Sequence, residues 1–250
     1  MNRILFERRE LVGDVVTFGG VRAEHVLNVL HGEVGQVLKT GEVNGKIGTA
    51  EIVALSRGGS DAGPTVTARC RHEAESLRPW ADLILAPPRP RVMKRLLPQL
   101  AALGVGRLFL VGAKKVEKDF WGATLLKEES CRPLLIDGLM QAGTSVLPTV
   151  ETRRNFRAFV RDELDGLFPK SRRIVAHPHS EGAVRPIPSV EADRRPPLLA
   201  VGPEGGWTDE EVALLEAYGF ARHSLGARIL RTDTATVALL AQLMKEHDGC

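Results

Sequence analysis

Two segments of this 250-residue chain carry residue types and spacings suited to ligand chemistry. The first is the apolar run Leu198-Leu199-Ala200-Val201, which leads into Gly202-Pro203-Glu204-Gly205-Gly206-Trp207 and then Thr208-Asp209-Glu210-Glu211. The run predicts a buried strand. Glycines at 202, 205 and 206 let the backbone turn sharply and approach a ligand closely. Thr208 with Glu211 three residues on predicts a helix start closed by a capping box. Neither GxxxxGK[ST] nor GxGxxG is present, so this is not a phosphate loop of either kind. On spacing alone the segment equally fits a tight strand-to-helix turn with no ligand. The second segment, Ser224 to Thr234, precedes a closing helix marked by Ala235, Ala238, Leu239 and Gln242 and ending near Lys245. Arg231 and Thr232 fall where loop meets helix, a place whose free N–H groups and dipole favour an anion. Arg228 and Arg231 fit equally well as surface residues beside a capped helix.

The elements that must position these segments fall into two regimes. Before residue 75 the pattern is of short strands: Val15, Val16 and Phe18 in one, Gln36 to Lys39 and Ile47 to Ile52 about a turn at Asn44-Gly45, and Thr65 to Arg69 in another. Arg22 to His31 has apolar residues at 23, 26, 27 and 30, a helical spacing. This part reads as a small β-barrel with one short helix. A boundary falls near Arg78-Pro79-Trp80. Beyond it, apolar runs at Leu83–Ala86, Arg107–Val111, Arg173–Ala176 and Leu198–Val201 alternate with helical patterns at Met93–Leu103, Leu125–Met140 and Phe156–Phe168. The expected fold class is therefore α/β, a mostly parallel sheet with helices on both faces, with domains at 1–74 and 75–250. Ligands in such sheets sit beyond the carboxyl ends of the strands, where the first segment falls.

Composition narrows the function. Hydrophobic residues make up 43% and charged residues 26%, which excludes disordered and fibrous classes. No apolar run reaches the roughly 18 residues that cross a bilayer, and MNRILFERRE lacks the apolar core of a signal peptide. Cys70, Cys131 and Cys250 are odd in number, scattered and without CxxC, so a reducing compartment is expected, with neither a disulfide framework nor a metal site. The net charge is only +3. Its distribution says more: Arg89, Arg91, Lys94 and Arg95 form an acid-free cluster, and further basic groups lie at 114–118, 153–161 and 170–173. Aromatic residues at 5% argue against a base-stacking sheet.

Together, GPEGGWTDEEV and LGARILRTDTATVALLAQL resemble the signature of the RsmE-type 16S ribosomal RNA (uracil-N3) methyltransferases of the SPOUT superfamily. The opening MNRILF, His25 to Leu30 with Val34-Gly35, Ala101 to Val105, and His177-Pro178 are similar to other positions of that family. The resemblance implies an N-terminal PUA-like β-barrel, a C-terminal α/β domain with a deep trefoil knot, and a cytoplasmic homodimer acting on the RNA of the small ribosomal subunit. It implies that S-adenosylmethionine is held by three loops, with contacts from His177, Pro178, Val201, Gly202, Glu204, Gly205, Gly206, Leu225, Gly226, Ile229, Leu230 and Thr234. Methylating uridine N3 requires loss of its proton. A fixed guanidinium can stabilise the charge that spreads onto the carbonyl oxygens, which makes Arg231 the first catalytic candidate and Asp233 the second. Arg3, Arg22, Arg89, Arg91 and Lys94 are the candidates for RNA contact. Methyl transfer from a sulfonium calls for no metal.

Several positions depart from the family pattern. Pro98-Gln99-Leu100-Ala101-Ala102 lacks its lysine and glutamate, Ala113-Lys114-Lys115-Val116 replaces a serine/arginine segment, Met140-Gln141-Ala142-Gly143-Thr144 loses an arginine, and His31 stands in place of another. The cofactor motifs are kept and the RNA-facing ones differ. A SPOUT enzyme with another RNA target, and a non-catalytic RNA-binding or ribosome-assembly protein, therefore stand beside the uridine reading.

Overall fold

The computed structural model describes residues 3–58, 63–122, 127–178 and 195–247. Leu125 and Leu126 of the helix predicted at Leu125–Met140, the Pro186–Pro188 connector and Cys250 lie outside them. The chain groups into two compact units, Met1–Arg78 with Ile136–Leu147, and Pro79–Leu135 with Pro148–Cys250.

In the first unit, β1 (Ile4–Phe6), β2 (Leu11–Val12), β3 (Val15–Gly19), β4 (Val37–Glu42), β5 (Ile47–Ser56) and β6 (Thr65–Ala74) form one sheet in the order β1-β4-β5-β6-β3-β2. Only β1 and β4 pair in parallel. A period of two builds the core: Val16, Phe18, Leu38, Ala50, Ile52, Val66 and Ala68 point inward, while Thr17, Lys39 and Glu51 face out. The predicted helix forms as α1 (Gly20–Glu24) and a π-helical turn, His25–Val29, which add Ala23 and Val26 to that core. It stops short of His31, whose φ of 48° lies in the left-handed region. A Cβ on Gly32 would stand 2.6 Å from Val26 Cγ1, so the chain doubles back there only because nothing projects from it.

The β4–β5 hairpin turns as expected at Asn44, whose φ is 60°. A distant segment latches that turn. Asn44 Oδ1 accepts the Leu147 N–H at 2.7 Å, the Asn44 N–H donates to Ser145 O at 2.8 Å, and Ser145 Oγ donates to Gly45 O at 2.6 Å. Arg3 completes the latch by donating to Gly143 O at 2.9 Å, Thr40 O at 2.7 Å and Gly48 O at 2.9 Å. Arg22 is likewise engaged, on the Glu10 carboxylate and Leu5 O. Both arginines named as RNA contacts thus hold this unit together, because a guanidinium with several fixed acceptors is already satisfied by the chain itself. Arg3→Ala is expected to lower the free energy of unfolding by about 2 kcal/mol, through three carbonyls losing a charged donor. A denaturant midpoint unchanged within error, with unchanged hydrogen exchange at Leu147, would refute the latch.

In the second unit, β7 (Ala81–Leu85), β8 (Val105–Val111), β9 (Thr149–Arg153), β10 (Arg172–Ala176), β11 (Pro197–Val201) and β12 (Ala221–His223) are all parallel, in the order β12-β10-β11-β7-β8-β9. Residues of one parity pack on one face: Ile84, Phe109, Val175, Leu198 and Ala200 meet Phe156, Phe159 and Leu164 of the helical stretch α4 (Phe156–Ala158), π turn (Phe159–Glu163) and α5 (Leu164–Leu167). α2 (Pro90–Ala102) and α3 (Glu128–Ala142) precede that stretch. α6 (Asp209–Ala217) adds Val212 and Leu215 to the same core. Leu83, Leu85, Leu199 and Val201 are buried on the other parity. α2 contacts β8 and the closing helix α7 (Thr232–His247), and α7 contacts β11. Four central strands lie where apolar runs predicted them. The flanking β9, with Glu151 and Arg153, and the three-residue β12 were not expected, since an edge strand needs no continuous apolar run. Among the described residues no helix is long and apolar enough to cross a membrane.

Candidate functional site

The loops that leave β10, β11 and β12 rise side by side from neighbouring strands, and with the start of α7 they enclose a cavity of about 320 Å³. It lies at the carboxyl ends of the parallel strands, where ligands of such sheets bind. His177 and Pro178 enter from β10, Val201 to Trp207 from β11, His223 to Gly226 and Arg228 to Leu230 from β12, and Thr232, Ala235 and Leu239 from α7.

The loop after β11 is shaped by what it cannot carry. A Cβ on Gly202 would stand 3.0 Å from the Trp207 backbone nitrogen and 3.2 Å from the Gly206 carbonyl carbon, so the loop closes on itself over a bare backbone. Gly206 has a φ of +68°, and its N–H bonds Pro203 O at 2.8 Å. The capping box forms as predicted: Thr208 Oγ1 accepts the Glu211 N–H and Glu211 Oε2 accepts the Thr208 N–H at 2.8 Å. Glu211 is 5% exposed and reaches further, its Oε1 accepting the Lys114 N–H at 2.8 Å beyond β8. Lys115 then donates from Nζ to Gly205 O at 2.8 Å. The family-divergent stretch 113–116 is therefore the outer support of the glycine loop. Glu211→Ala would strand the Thr208 and Lys114 N–H donors at once, and we expect a loss of about 2 kcal/mol in stability. A melting temperature within a degree of the parent would exclude that role.

Glu204, expected as a cofactor contact, lines the cavity and also accepts the Arg89 N–H at 2.9 Å at the start of α2. A carboxylate there suits the positive end of a helix dipole. In the loop after β12, Gly226 has φ +111°, and its N–H and carbonyl both meet Ser224 Oγ, at 3.2 and 3.1 Å. His177 donates from Nδ1 to Pro178 O at 2.9 Å. Leu225, Leu230 and especially Ile229, which is 85% exposed, leave apolar surface open at this loop.

Eleven of the twelve expected cofactor contacts line the cavity, and Thr234 is outside its lining. Thr234 is exposed, and its N–H donates to Asp233 Oδ1 at 3.0 Å. The buried position belongs to Thr232, which donates from Oγ1 to Gly202 O at 3.3 Å and whose carbonyl accepts from Thr236 Oγ1 at 2.7 Å. One helical turn separates 232 from 236, so these two share the inward face and 234 cannot. That periodicity is readable in the sequence once α7 is started at 232 instead of 235. Trp207 and His223 also line the cavity without being among the expected contacts, and so does Arg228, which the sequence equally allows as a surface residue. Trp207 is 4% exposed, stacked on Phe156 at 5.1 Å, and its Nε1 is buried with no hydrogen-bond partner among the described residues.

The two catalytic candidates are close to the cavity without lining it. Arg231 directly precedes α7, its carbonyl accepts the Ala235 N–H at 2.8 Å, and its side chain is exposed. Among the described residues its guanidinium makes no hydrogen bond or ion pair. Asp233 is paired instead with Arg95 of α2, Nη2 to Oδ2 at 3.2 Å. Of the remaining RNA-contact candidates, Arg89 pairs with Glu117 at 3.1 Å, whereas Arg91 and Lys94 are exposed on α2 without such partners among the described residues. No group of three or more His, Cys, Asp or Glu able to hold a metal occurs among the described residues.

A parallel α/β unit with a glycine-walled cavity at this end of its strands is the setting in which the RNA methyltransferase domain family matches the chain, over residues 75–244. The protein is therefore of the RNA methyltransferase class. Along nearly its whole length it is 30% identical, over 246 residues covering 98% of this chain and 91% of the relative, to ribosomal RNA small subunit methyltransferase E of Treponema pallidum. It is 29% identical over 150 residues, 60% of each chain, to ribosomal RNA small subunit methyltransferase E 1 of Borreliella burgdorferi. The chain belongs to the ribosomal RNA small subunit methyltransferase E family. In fold it matches, with a TM-score of 0.75 and 23% identity over 98% of this chain and 97% of the other, the crystal structure of such an enzyme from Neisseria gonorrhoeae bound to S-adenosylmethionine.

Proposed function

We propose that the protein methylates ribosomal RNA of the small subunit at the N3 of a uridine, with S-adenosylmethionine as donor. The observation that carries this reading is the cavity ringed by the loops after β10, β11 and β12, with an arginine beside it, just before α7, that has no side-chain partner among the described residues. The residues fit such a cofactor. The volume lies in the range of roughly 300–1,000 Å³ usual for small-molecule sites. Val201, Leu225, Leu230 and Leu239 offer apolar wall to a purine, and the bare backbone of Gly202 to Gly206 offers close approach. When bound, S-adenosylmethionine supplies an electrophilic methyl group on a sulfonium.

This chain's own residues do the rest. Thr232 fixes the Gly202 carbonyl, and so ties the cofactor loop to the helix that Arg231 directly precedes. Arg231 stabilises the negative charge that develops on the uracil carbonyl oxygens as the N3 proton leaves. Arg91 and Lys94, exposed on α2 without partners among the described residues, serve the RNA phosphates. Asp233, in the first turn of α7, meets Arg95 and the Thr234 amide. The reading further includes a PUA-like barrel for the first unit, a trefoil knot in the second, a homodimer, and a cytoplasmic site of action, where the ribosome is. Family membership supports these.

Calorimetry with S-adenosylmethionine, followed by transfer of a labelled methyl group to small subunits purified from a strain lacking the gene, tests the proposal. The expected result is saturable binding and one labelled 3-methyluridine. An absence of binding overturns the enzyme reading, and label appearing only in another RNA overturns the uridine assignment.

A further inference from the structure

We infer that Arg95 is a positioning residue that keeps Arg231 available to substrate by occupying the one carboxylate in its immediate sequence neighbourhood. The inference rests on the catalytic role proposed for Arg231. Asp233 is two residues from Arg231 at the same helix start. Its side chain is 21% exposed, and both of its oxygens are engaged, Oδ2 by Arg95 Nη2 at 3.2 Å and Oδ1 by the Thr234 N–H at 3.0 Å. Arg231 sits just outside the helix, so its long side chain is not bound by the helical rule that residues two apart face away from each other. A carboxylate two residues along the chain would attract the guanidinium, and an arginine paired with it would present less charge to a uracil oxygen. Arg95 removes that competition.

The arrangement depends on tertiary structure: α2 and α7 are in contact, and Arg95 lies 138 residues from its partner. It also gives a role to the one member of the 89–95 basic cluster that the RNA reading leaves aside. Arg91 and Lys94 are exposed without partners among the described residues, while Arg95 is paired with Asp233. The alternative is that the Arg95–Asp233 pair merely tethers α2 to α7. The two differ in sign when the carboxylate is removed as well. A tether lost from one side stays lost from both, whereas a competitor once neutralised needs no guard.

The test uses the full-length protein in four forms: parent, Arg95→Ala, Asp233→Asn, and the double variant. Phenylglyoxal modification of Arg231 is followed by mass spectrometry, with Arg228 as an internal reference. Methyl transfer to small subunits and S-adenosylmethionine affinity are measured in parallel. Arg95→Ala should slow both Arg231 modification and transfer about fivefold, the effect of one exposed ion pair. The double variant should return Arg231 modification to within about twofold of the parent, and cofactor affinity should not move. Unchanged Arg231 reactivity in Arg95→Ala overturns the inference. So does a double variant as slow as the single, which is the signature of a tether, or a loss of transfer in Asp233→Asn, which would make that carboxylate itself part of the chemistry. If Arg231 reactivity follows the expected pattern while the parent methylates no RNA, the positioning stands and the proposed function fails.

Discussion

Arg231→Ala is expected to cut methyl transfer about 10²- to 10³-fold while S-adenosylmethionine binds within about twofold of the parent, as when one fixed donor to a developing oxyanion is removed. The separation of the two effects follows from the geometry. The Arg231 side chain is exposed and outside the cavity lining, whereas Thr232, the next residue, is buried in it and bonded to Gly202. The chain therefore divides cofactor contact and charge stabilisation between neighbouring residues at one loop-to-helix junction. Arg231→Lys keeps the charge but loses the planar fork, and should fall between parent and alanine. Transfer rates for Arg231→Ala within a few-fold of the parent would remove this residue from the chemistry, and a matching collapse in cofactor affinity would recast it as a binding residue.

The second large effect is expected at Gly202. Overpacking costs roughly 1–3 kcal/mol, so Gly202→Ala should weaken S-adenosylmethionine about 10- to 100-fold. The obstruction is backbone, at 3.0 and 3.2 Å within the same loop, and a backbone held by the Gly206 N–H to Pro203 bond cannot step aside without reshaping the cavity wall. Gly205→Ala is the informative comparison. There the added carbon meets the Cδ of Lys115 at 3.0 Å, the stem of a flexible side chain that can swing away, and binding should change less than about threefold. Calorimetric titration of the two variants decides the matter. Equal affinities would mean that the glycines serve the turn alone and not the ligand.

How much of this was legible beforehand varied with how local the cause was. The β11 strand, its glycine loop and the Thr208–Glu211 capping box are written in contiguous residues, and each lies where the sequence put it. α7 was begun three residues late because Arg231-Thr232-Asp233 carries no apolar periodicity, only the capping chemistry of its first turn. β9 and β12 escaped notice as sheet edges with polar or very short runs. Least legible were partnerships across long stretches of chain. Nothing near Arg3 announces Gly143, nothing near Arg95 announces Asp233, and nothing near Glu211 announces the Lys114 amide. Counting basic residues therefore overstated the free charge. Arg3, Arg22 and Arg95 are engaged by the fold, while Arg91, Lys94 and Arg231 are not so engaged among the described residues.

The latch on the first unit has a consequence for how the protein is made. Residues 136–147 hold the Asn44 turn and receive Arg3, yet they leave the ribosome some 70 residues after Arg78. At about 5–20 residues per second, the nascent amino-terminal sheet waits roughly 3 to 14 s with its turn unlatched and the Arg3 guanidinium without its Gly143 acceptor. Vectorial synthesis thus builds the amino-terminal unit first and finishes it late, and a chain cut after residue 78 would end with that unit still open.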